Sequence, residues 1–144
     1  MTGFDKLFSG MRAASSGMAA EHVRIDTVAK NIANANTTNV PGGGPYRRQL
    51  VHFAPLLSRA MNGKDEVVGV RVAKVADDMV TPLPRIFDPG HADADAQGYV
   101  RLPNVNTVME MADLITATRA YEANVTAQEQ FVAMAERALR LIQT

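Results

Sequence analysis

Apolar residues recur at every seventh position at both ends of this 144-residue chain. The N-terminal series is Phe4, Met11, Met18, Ile25 and Ile32. The C-terminal series is Met111, Thr118, Val125, Val132 and Leu139, and a second row three residues further on comprises Leu114, Tyr121, Ala135 and Ile142. A repeat near 3.5 residues keeps one stripe of a helix against a partner helix. The spacing therefore predicts two long terminal helices packed as an antiparallel coiled coil.

Polar residues set the expected limits of both helices. The first helix is expected over residues 4–34, because the segment that follows is rich in Asn and Thr, which favour caps and turns. Asn104 or Asn106 should cap the second helix, which is expected to reach about residue 142. We therefore expect a mainly α fold with a small β insert: an N-terminal helix (1–35), a loop and small β subdomain (36–103) and a C-terminal helix (104–144).

Small residues give the first helix a second kind of surface. Gly10 and Gly17 each cost about 1 kcal/mol relative to Ala in a helix interior, and Glu21 interrupts the apolar repeat. Together with alanines 13, 14, 19 and 20, the glycines form a thin surface that suits close packing. Such a helix is marginal alone, so we expect neighbours on more than one side.

The middle of the chain is predicted to form short strands. Alternating or β-branched runs favour strands at residues 47–53 and 67–75, and shorter ones at 85–87 and 98–102. Residues 62–66 should form a polar turn, and the Pro and Gly of residues 41–45 an open loop. We expect a small β subdomain of three or four strands.

Composition excludes several classes of function. Fifteen basic and fifteen acidic residues are interspersed, which argues against binding to nucleic acid or to an anionic membrane. The absence of cysteine excludes disulfides, thiol catalysis and thiolate metal sites. With no tryptophan and 6% aromatic residues, a large aromatic pocket is not expected. The chain has neither a long apolar span nor the pattern of a cleaved signal peptide.

One loop concentrates possible metal ligands. Asp88, His91, Asp93 and Asp95 could together bind a divalent cation. The run from Asp93 to Gly98 also resembles the start of a calcium loop, but the glutamate required at its twelfth position is missing. We therefore expect an ordinary turn with Gly98 in a special backbone conformation, and no metal or other cofactor.

No other segment carries a catalytic pattern. Residues 42–44 are glycine-rich, as phosphate-binding loops are, but no Lys-Ser/Thr pair follows them. Ser15 and Ser16 lack a neighbouring histidine motif, and adjacent Asp77 and Asp78 should point to opposite faces of a strand. A small metal-dependent enzyme that uses the loop at residues 88–95 is the catalytic alternative.

Surface residues on the second helix suggest contacts with other chains. The stretch Arg119-Ala-Tyr-Glu-Ala-Asn124 places a guanidinium, a phenol and an amide on adjacent turns. Arginine forms planar bidentate contacts to carboxylates, which suits a subunit interface, although a solvated surface arginine is an equal alternative. Leu7, Phe8, Ile115 and Phe131 lie off the predicted seam, so we expect other subunits to cover them.

Several separate motifs resemble one family. Asn31-Ile-Ala-Asn-Ala-Asn-Thr-Thr38 after an N-terminal helix resembles the shared segment of the rod and hook axial proteins of the bacterial flagellum. The order of the later motifs resembles a proximal-rod member of that family. These motifs are Pro45-Tyr-Arg-Arg48, Asp88-Pro-Gly-His91, Ala94-Asp-Ala-Gln-Gly-Tyr-Val100, Pro103-Asn-Val-Asn106, Glu110-Met111 and Arg119-Ala-Tyr-Glu-Ala-Asn124.

The resemblance implies a non-enzymatic subunit of the flagellar drive shaft that is exported without a cleaved signal and assembles in the periplasm. Implied partners are copies of itself, other flagellar rod proteins, the rod-base adaptor and MS-ring or export-gate components. Nucleic acid, a small-molecule substrate and a membrane span are not expected. The expected assembly residues are Asn31, Asn34, Tyr46, Arg47, Tyr99, Asn104, Arg119, Tyr121, Asn124, Val125, Val132 and Leu139. Another axial protein, or a soluble coiled-coil adaptor that forms a discrete dimer, are the alternatives.

Overall fold

A computed structural model describes the backbone of residues 3–59 and 65–142, and the side chains within residues 8–58 and 66–140. Two long helices, α1 (Gly3–Ala33) and α2 (Thr107–Ile142), lie at the ends of the chain. Between them are β1 (Gln49–Arg59), β2 (Asp65–Asp77), β3 (Arg85–Phe87) and β4 (Tyr99–Arg101). The predicted mainly α fold with a small β insert is confirmed.

The helices begin and end at the polar residues that the sequence indicated. The Oδ1 atom of Asn106 accepts hydrogen bonds from the backbone N–H groups of Val108 and Met109, at 3.1 and 3.2 Å. These bonds satisfy two of the free donors at the start of α2, so Asn106 is its N-cap. After α1, the side-chain amide of Asn34 donates to the carbonyl of Lys30 at 2.9 Å.

The two helices run antiparallel and approach closely where α1 carries glycine. A Cβ atom added to Gly10 would lie 2.7 Å from Cε1 of Phe131. One added to Gly17 would lie 2.9 Å from the amide nitrogen of Asn124. Both distances are too short for non-bonded atoms, so a side chain of α2 occupies the space that a Cβ atom would need at each glycine. The thin surface predicted on α1 therefore packs against α2 of the same chain.

The seam between the helices differs from the predicted stripe. The most buried residues of the pair are small or polar, namely Ala14, Gly17, Ala20, Thr27, Val28 and Asn31 on α1 and Glu110 and Ala117 on α2. The predicted positions Met111 and Leu139 are 54% and 55% exposed, and Phe131, which we expected off the seam, packs over Gly10. Small residues allow closer helix approach than the heptad stripe does, so the seam on α2 lies one residue earlier.

The middle segment forms four strands, within the three or four that we expected, and they are arranged as two separate sheets of two antiparallel strands each. β1 pairs with β2 from Gln49 opposite Asp77 to Arg59 opposite Asp65, with register shifts at His52/Phe53 and Leu56/Leu57. Such bulges increase twist and bend a ribbon. The predicted turn at 62–66 falls mostly outside the described residues, and its last two residues belong to β2.

One serine of α1 holds the β1–β2 hairpin against the helix. The Ser16 hydroxyl donates to the carbonyl of Ala13 at 2.8 Å and accepts from the backbone N–H of Val70 at 3.1 Å. A Cβ atom added to the neighbouring Gly69 would overlap the Ser16 Oγ atom. Gly69 therefore lets a strand lie directly on the helix, because no side chain separates the two backbones.

Gly69→Ala should destabilise the chain by about 1–3 kcal/mol, since overpacking forces the hairpin away from Ser16. Urea unfolding followed by circular dichroism measures the difference. Gly90→Ala is the matched control, because its added Cβ would meet only an Asp88 oxygen at 3.7 Å. Equal stabilities of the two variants would contradict the direct contact between strand and helix.

Candidate functional site

A cluster of buried polar side chains joins α1, the 34–48 loop and α2, and we call it the polar junction (Asn31, Tyr46, Arg48, Asn104 and Glu110). At its centre, Glu110 is 0% exposed. One carboxylate oxygen accepts from the Arg48 Nε at 2.5 Å, and the other accepts from the Asn31 side-chain amide at 2.9 Å. A buried carboxylate is stable only when it is paired and hydrogen-bonded, and these two partners meet that requirement.

Asn31 satisfies its amide on both sides. Its oxygen accepts from the Tyr46 hydroxyl at 2.9 Å and from the backbone N–H of Gln49 at 2.8 Å. Its nitrogen also donates to the Gln49 carbonyl at 2.9 Å. One side chain of α1 therefore replaces a neighbouring strand at the start of β1 and fixes where the hairpin leaves the helices.

Asn104 plays the same part for the segment before α2. It is 7% exposed, and its oxygen accepts from the backbone N–H of Arg48 at 2.8 Å. Its nitrogen donates to the carbonyls of Asp78 and Thr81, at 3.1 and 3.2 Å. The Arg48 guanidinium extends the network to Asp113 at 3.2 Å, and Arg24 of α1 reaches the same carboxylate at 3.7 Å.

The structure divides the predicted assembly residues into two groups. Asn31 and Asn104 are buried, and Tyr46 and Arg47 are half-buried; all four bond within the chain, Arg47 through the Asp78 carbonyl at 3.2 Å. Asn34 bonds at the end of α1 as described. Their assignment to an assembly surface stays a prediction, while the in-chain contacts give each of them a structural role.

The remaining predicted residues lie farther from the polar junction. Tyr99 is 40% exposed, packs edge-on against Phe87 and lies under the Arg85 guanidinium. Among the predicted residues on α2, Arg119, Val132 and Leu139 are exposed and Tyr121, Asn124 and Val125 are half-buried. The Arg119 side chain makes no ion pair or hydrogen bond with any residue that the structure describes, and its place in an interface stays a prediction.

Large apolar side chains are exposed over much of the described surface. Four of them lie in the first turns of α2: Val108 is 74% exposed, Met109 62%, Met111 54% and Ile115 55%. Phe8 on α1 is 54% exposed, as we expected for a residue off the seam. Phe8 and the exposed residues at the start of α2 lie towards opposite ends of the helix pair, because Gly10 faces Phe131 and Asn31 faces Glu110.

Sequence reasoning missed several residues that the structure brings together. The sequence marks Glu110 and Arg48 as members of two separate motifs, Glu110-Met111 and Pro45-Tyr-Arg-Arg48. No local pattern marks them as partners, because they are separated by 62 positions in sequence. Asp78, which we expected on a strand beside Asp77, follows the last residue of β2 and is only 8% exposed.

The loop with possible metal ligands is held by hydrogen bonds. Thr38 and Asn39 donate to the Asp93 carboxylate at 2.6 and 3.0 Å, and these bonds lower the pKa of Asp93. Gly98 has a φ of +81°, as expected for the turn. Within residues 3–59 and 65–142, no group of three metal-ligating side chains could hold an ion. Nor does either helix, over its described length, combine the length and apolarity of a membrane span.

Arg48→Met should cost about 3–5 kcal/mol of unfolding free energy, because it leaves the buried Glu110 carboxylate without its cation. Arg85→Met is the control, since the Arg85–Asp95 pair has half-exposed side chains and is worth about 1 kcal/mol or less. Chemical denaturation of both variants checks the difference. A loss for Arg48→Met no greater than for the control would refute the role of the polar junction.

Tyr46 should make the chain sensitive to alkali. Burial, followed by the charges of Asp77 and Glu110, raises the pKa of Tyr46 above its ordinary value of 10.0. The folded state therefore disfavours tyrosinate: its stabilising effect is complete below pH 10 and declines as the pH rises through the folded pKa. Between pH 8 and 11, the free energy of unfolding should fall more steeply with pH for the wild type than for Tyr46→Phe. An equal pH dependence of the two free energies would contradict this.

Comparison with known proteins identifies the family of the chain. Residues 11–39 match the family described as flagella basal body rod protein, and residues 96–141 match the C-terminal family of flagellar basal body rod FlgEFG proteins. The flagellar basal-body rod protein FlgC of Borreliella burgdorferi is 43% identical over 152 residues, covering 95% of this chain and 98% of the relative. The FlgC proteins of Bacillus subtilis (36% identical; 93% and 97% covered) and Salmonella typhimurium (38%; 78% and 80%) are also similar. The chain belongs to the FlgC family of flagellar basal-body rod proteins and is a structural rod subunit.

Proposed function

We propose that this chain is a non-enzymatic subunit of the proximal rod, which assembles with itself and with other rod proteins into the shaft that transmits torque. The observation that carries the proposal is the exposed apolar surface of the helix pair in a member of a rod family. The hairpin packs on α1, and α2 packs against α1 while many of its apolar side chains remain exposed. The uncovered sides gain stability when neighbouring chains cover them.

The helix pair suits a load-bearing role because contacts join the two helices at both ends. Close contacts at Gly10 and Gly17 join them near the N-terminal end of α1, and the polar junction joins them near its C-terminal end. Torque applied to either helix is then carried across the pair through many short contacts. We propose that the two helices form the axial core and that the hairpin lies outside it.

We propose further that the chain leaves the cytosol through the flagellar export apparatus without a cleaved signal, and that it assembles in the periplasmic space. Its neighbours at the base of the rod would be the rod-base adaptor and components of the MS ring or export gate. Support for these finer points comes from the family alone. The exposed residues Arg119, Val132 and Leu139 are the proposed contacts that α2 makes with neighbours.

Arg119→Ala should block rod growth and motility without changing export or the stability of the isolated chain. The reason is that Arg119 is exposed and bonds to no described residue, so its loss removes nothing within the chain. Motility in soft agar and the copy number in isolated basal bodies measure rod growth, the amount of chain outside the cytosol measures export, and urea unfolding of the purified variant measures stability.

Normal motility of this variant would count against Arg119 as a contact. Absence of the wild-type chain from isolated basal bodies would overturn the proposed function itself. A lower unfolding free energy of Arg119→Ala would show that the variant acts through folding, and the interface role would be withdrawn.

A further inference from the structure

A short turn after β2 exposes two large apolar side chains, and we call it the tip (residues 79–81). Val80 is 93% exposed and Met79 is 72% exposed. No large hydrophobic side chain in the described part of the chain is more exposed than Val80. Burying a side chain of this kind contributes about 1.5–3 kcal/mol, so its complete exposure in a monomer calls for an explanation.

The tip is held in one conformation by hydrogen bonds on both of its flanks. The Asp78 carboxylate accepts from the backbone N–H groups of Val80 and Thr81, both at 3.0 Å, and from the Thr81 hydroxyl at 2.6 Å. Asn104 binds the carbonyls of Asp78 and Thr81 from below. The backbone N–H of Asp78 donates to the Arg48 carbonyl at 2.7 Å. A rigid apolar projection loses little conformational entropy on binding, which favours association.

A concave surface of matching character lies on the other half of the same chain, and we call it the groove. It has a volume of about 620 Å³ and lies where the hairpin crosses α1. Its lining includes the small residues Ala13, Gly17 and Gly69 and the apolar side chains of Phe53 and Val67, which are 41% and 69% exposed. An apolar lining of this kind suits an aliphatic side chain.

The charges beside the two surfaces are complementary. Arg47 flanks the tip through its bond to the Asp78 carbonyl, and it makes no ion pair within the described residues. Glu21 is the charged side chain among the described residues that line the groove, and its buried Oε2 atom makes no hydrogen bond there. The nearest cation to that oxygen is Arg24 of the same helix, at 3.7 Å. A second guanidinium at the groove would improve the pairing of Glu21.

We propose that the tip of one copy inserts Val80 and Met79 into the groove of a second copy, with Arg47 approaching Glu21. The tip bonds to the polar junction near Asn31, whereas the groove centres on Ala13, roughly 27 Å away at 1.5 Å per helical residue. A tip therefore does not reach its own groove. Because the two surfaces differ, the contact is head-to-tail and continues from copy to copy.

This inference rests on the proposed rod function and adds a specific contact between copies to it. The alternative partner for the groove is a different rod protein, and the experiment distinguishes it from a second copy of this chain. The choice of a second copy follows from the presence of both complementary surfaces, with opposite flanking charges, on one chain.

Cysteine cross-linking tests the contact cleanly, because the natural sequence contains no cysteine. The double variant Val80→Cys/Val67→Cys should form a ladder of disulfide-linked multimers in isolated basal bodies after mild oxidation. Each single variant should stay monomeric. The pair Val80→Cys/Val75→Cys is the matched control, since Val75 lies on the same strand, is 42% exposed and does not line the groove. We expect at least ten-fold more multimer from the groove pair.

A lack of multimers in basal bodies that contain the usual number of copies overturns the inference and leaves the rod function standing. A disulfide-linked dimer of the single variant Val80→Cys would also overturn the inference, because it would show that the tips of two copies contact each other. If the variants fail to enter basal bodies, oxidation of the purified double variant at high concentration decides: a ladder supports the contact, and monomer refutes it. A photoreactive side chain placed at position 80 that cross-links to a different rod protein would assign the tip to that protein and refute self-association.

Discussion

The buried carboxylate of Glu110 is the interaction on which the rest of the structure depends. It brings together Arg48 from the loop, Asn31 from α1 and its own helix α2. Because a buried charge without partners is costly, the three segments are ordered together or not at all. The start of β1 and the tip then take their positions from Asn31 and Asn104, which bond to the same segment.

At the other end of the helices, small residues replace polar bonds as the means of contact. Gly10 and Gly17 bring α1 against Phe131 and Asn124, and Gly69 brings the hairpin against Ser16. This packing buries the small residues of α1 and leaves larger apolar side chains exposed to solvent. The resulting helix pair exposes Val108, Met111 and Ile115. A subunit built this way gains further stability from neighbours, which is consistent with its membership of a rod family.

The sequence alone allowed much of the fold to be predicted, because helix periodicity, asparagine caps and β-branched runs are local signals. It placed both helices within a few residues, and it indicated four strands. It failed on the seam, since heptad spacing is equally compatible with neighbouring rows of one helix, and glycine contacts decided between them. It did not decide which strands pair, because several pairings of four short strands are compatible with the same local signals. The polar junction was invisible for the same reason: Arg48 and Glu110 lie on segments joined only by folding.

What the sequence determined by itself was the class of element at each position and, through its motifs, the family. Spacing and capping act over a few residues, so they survive without knowledge of the fold. The tertiary structure alone decided which side of α1 meets α2 and which predicted assembly residues turn inward. It also decided that Met79 and Val80 project from a rigid turn. Those outcomes depend on which polar groups find partners once the two helices are brought together, and that choice is made by the whole chain.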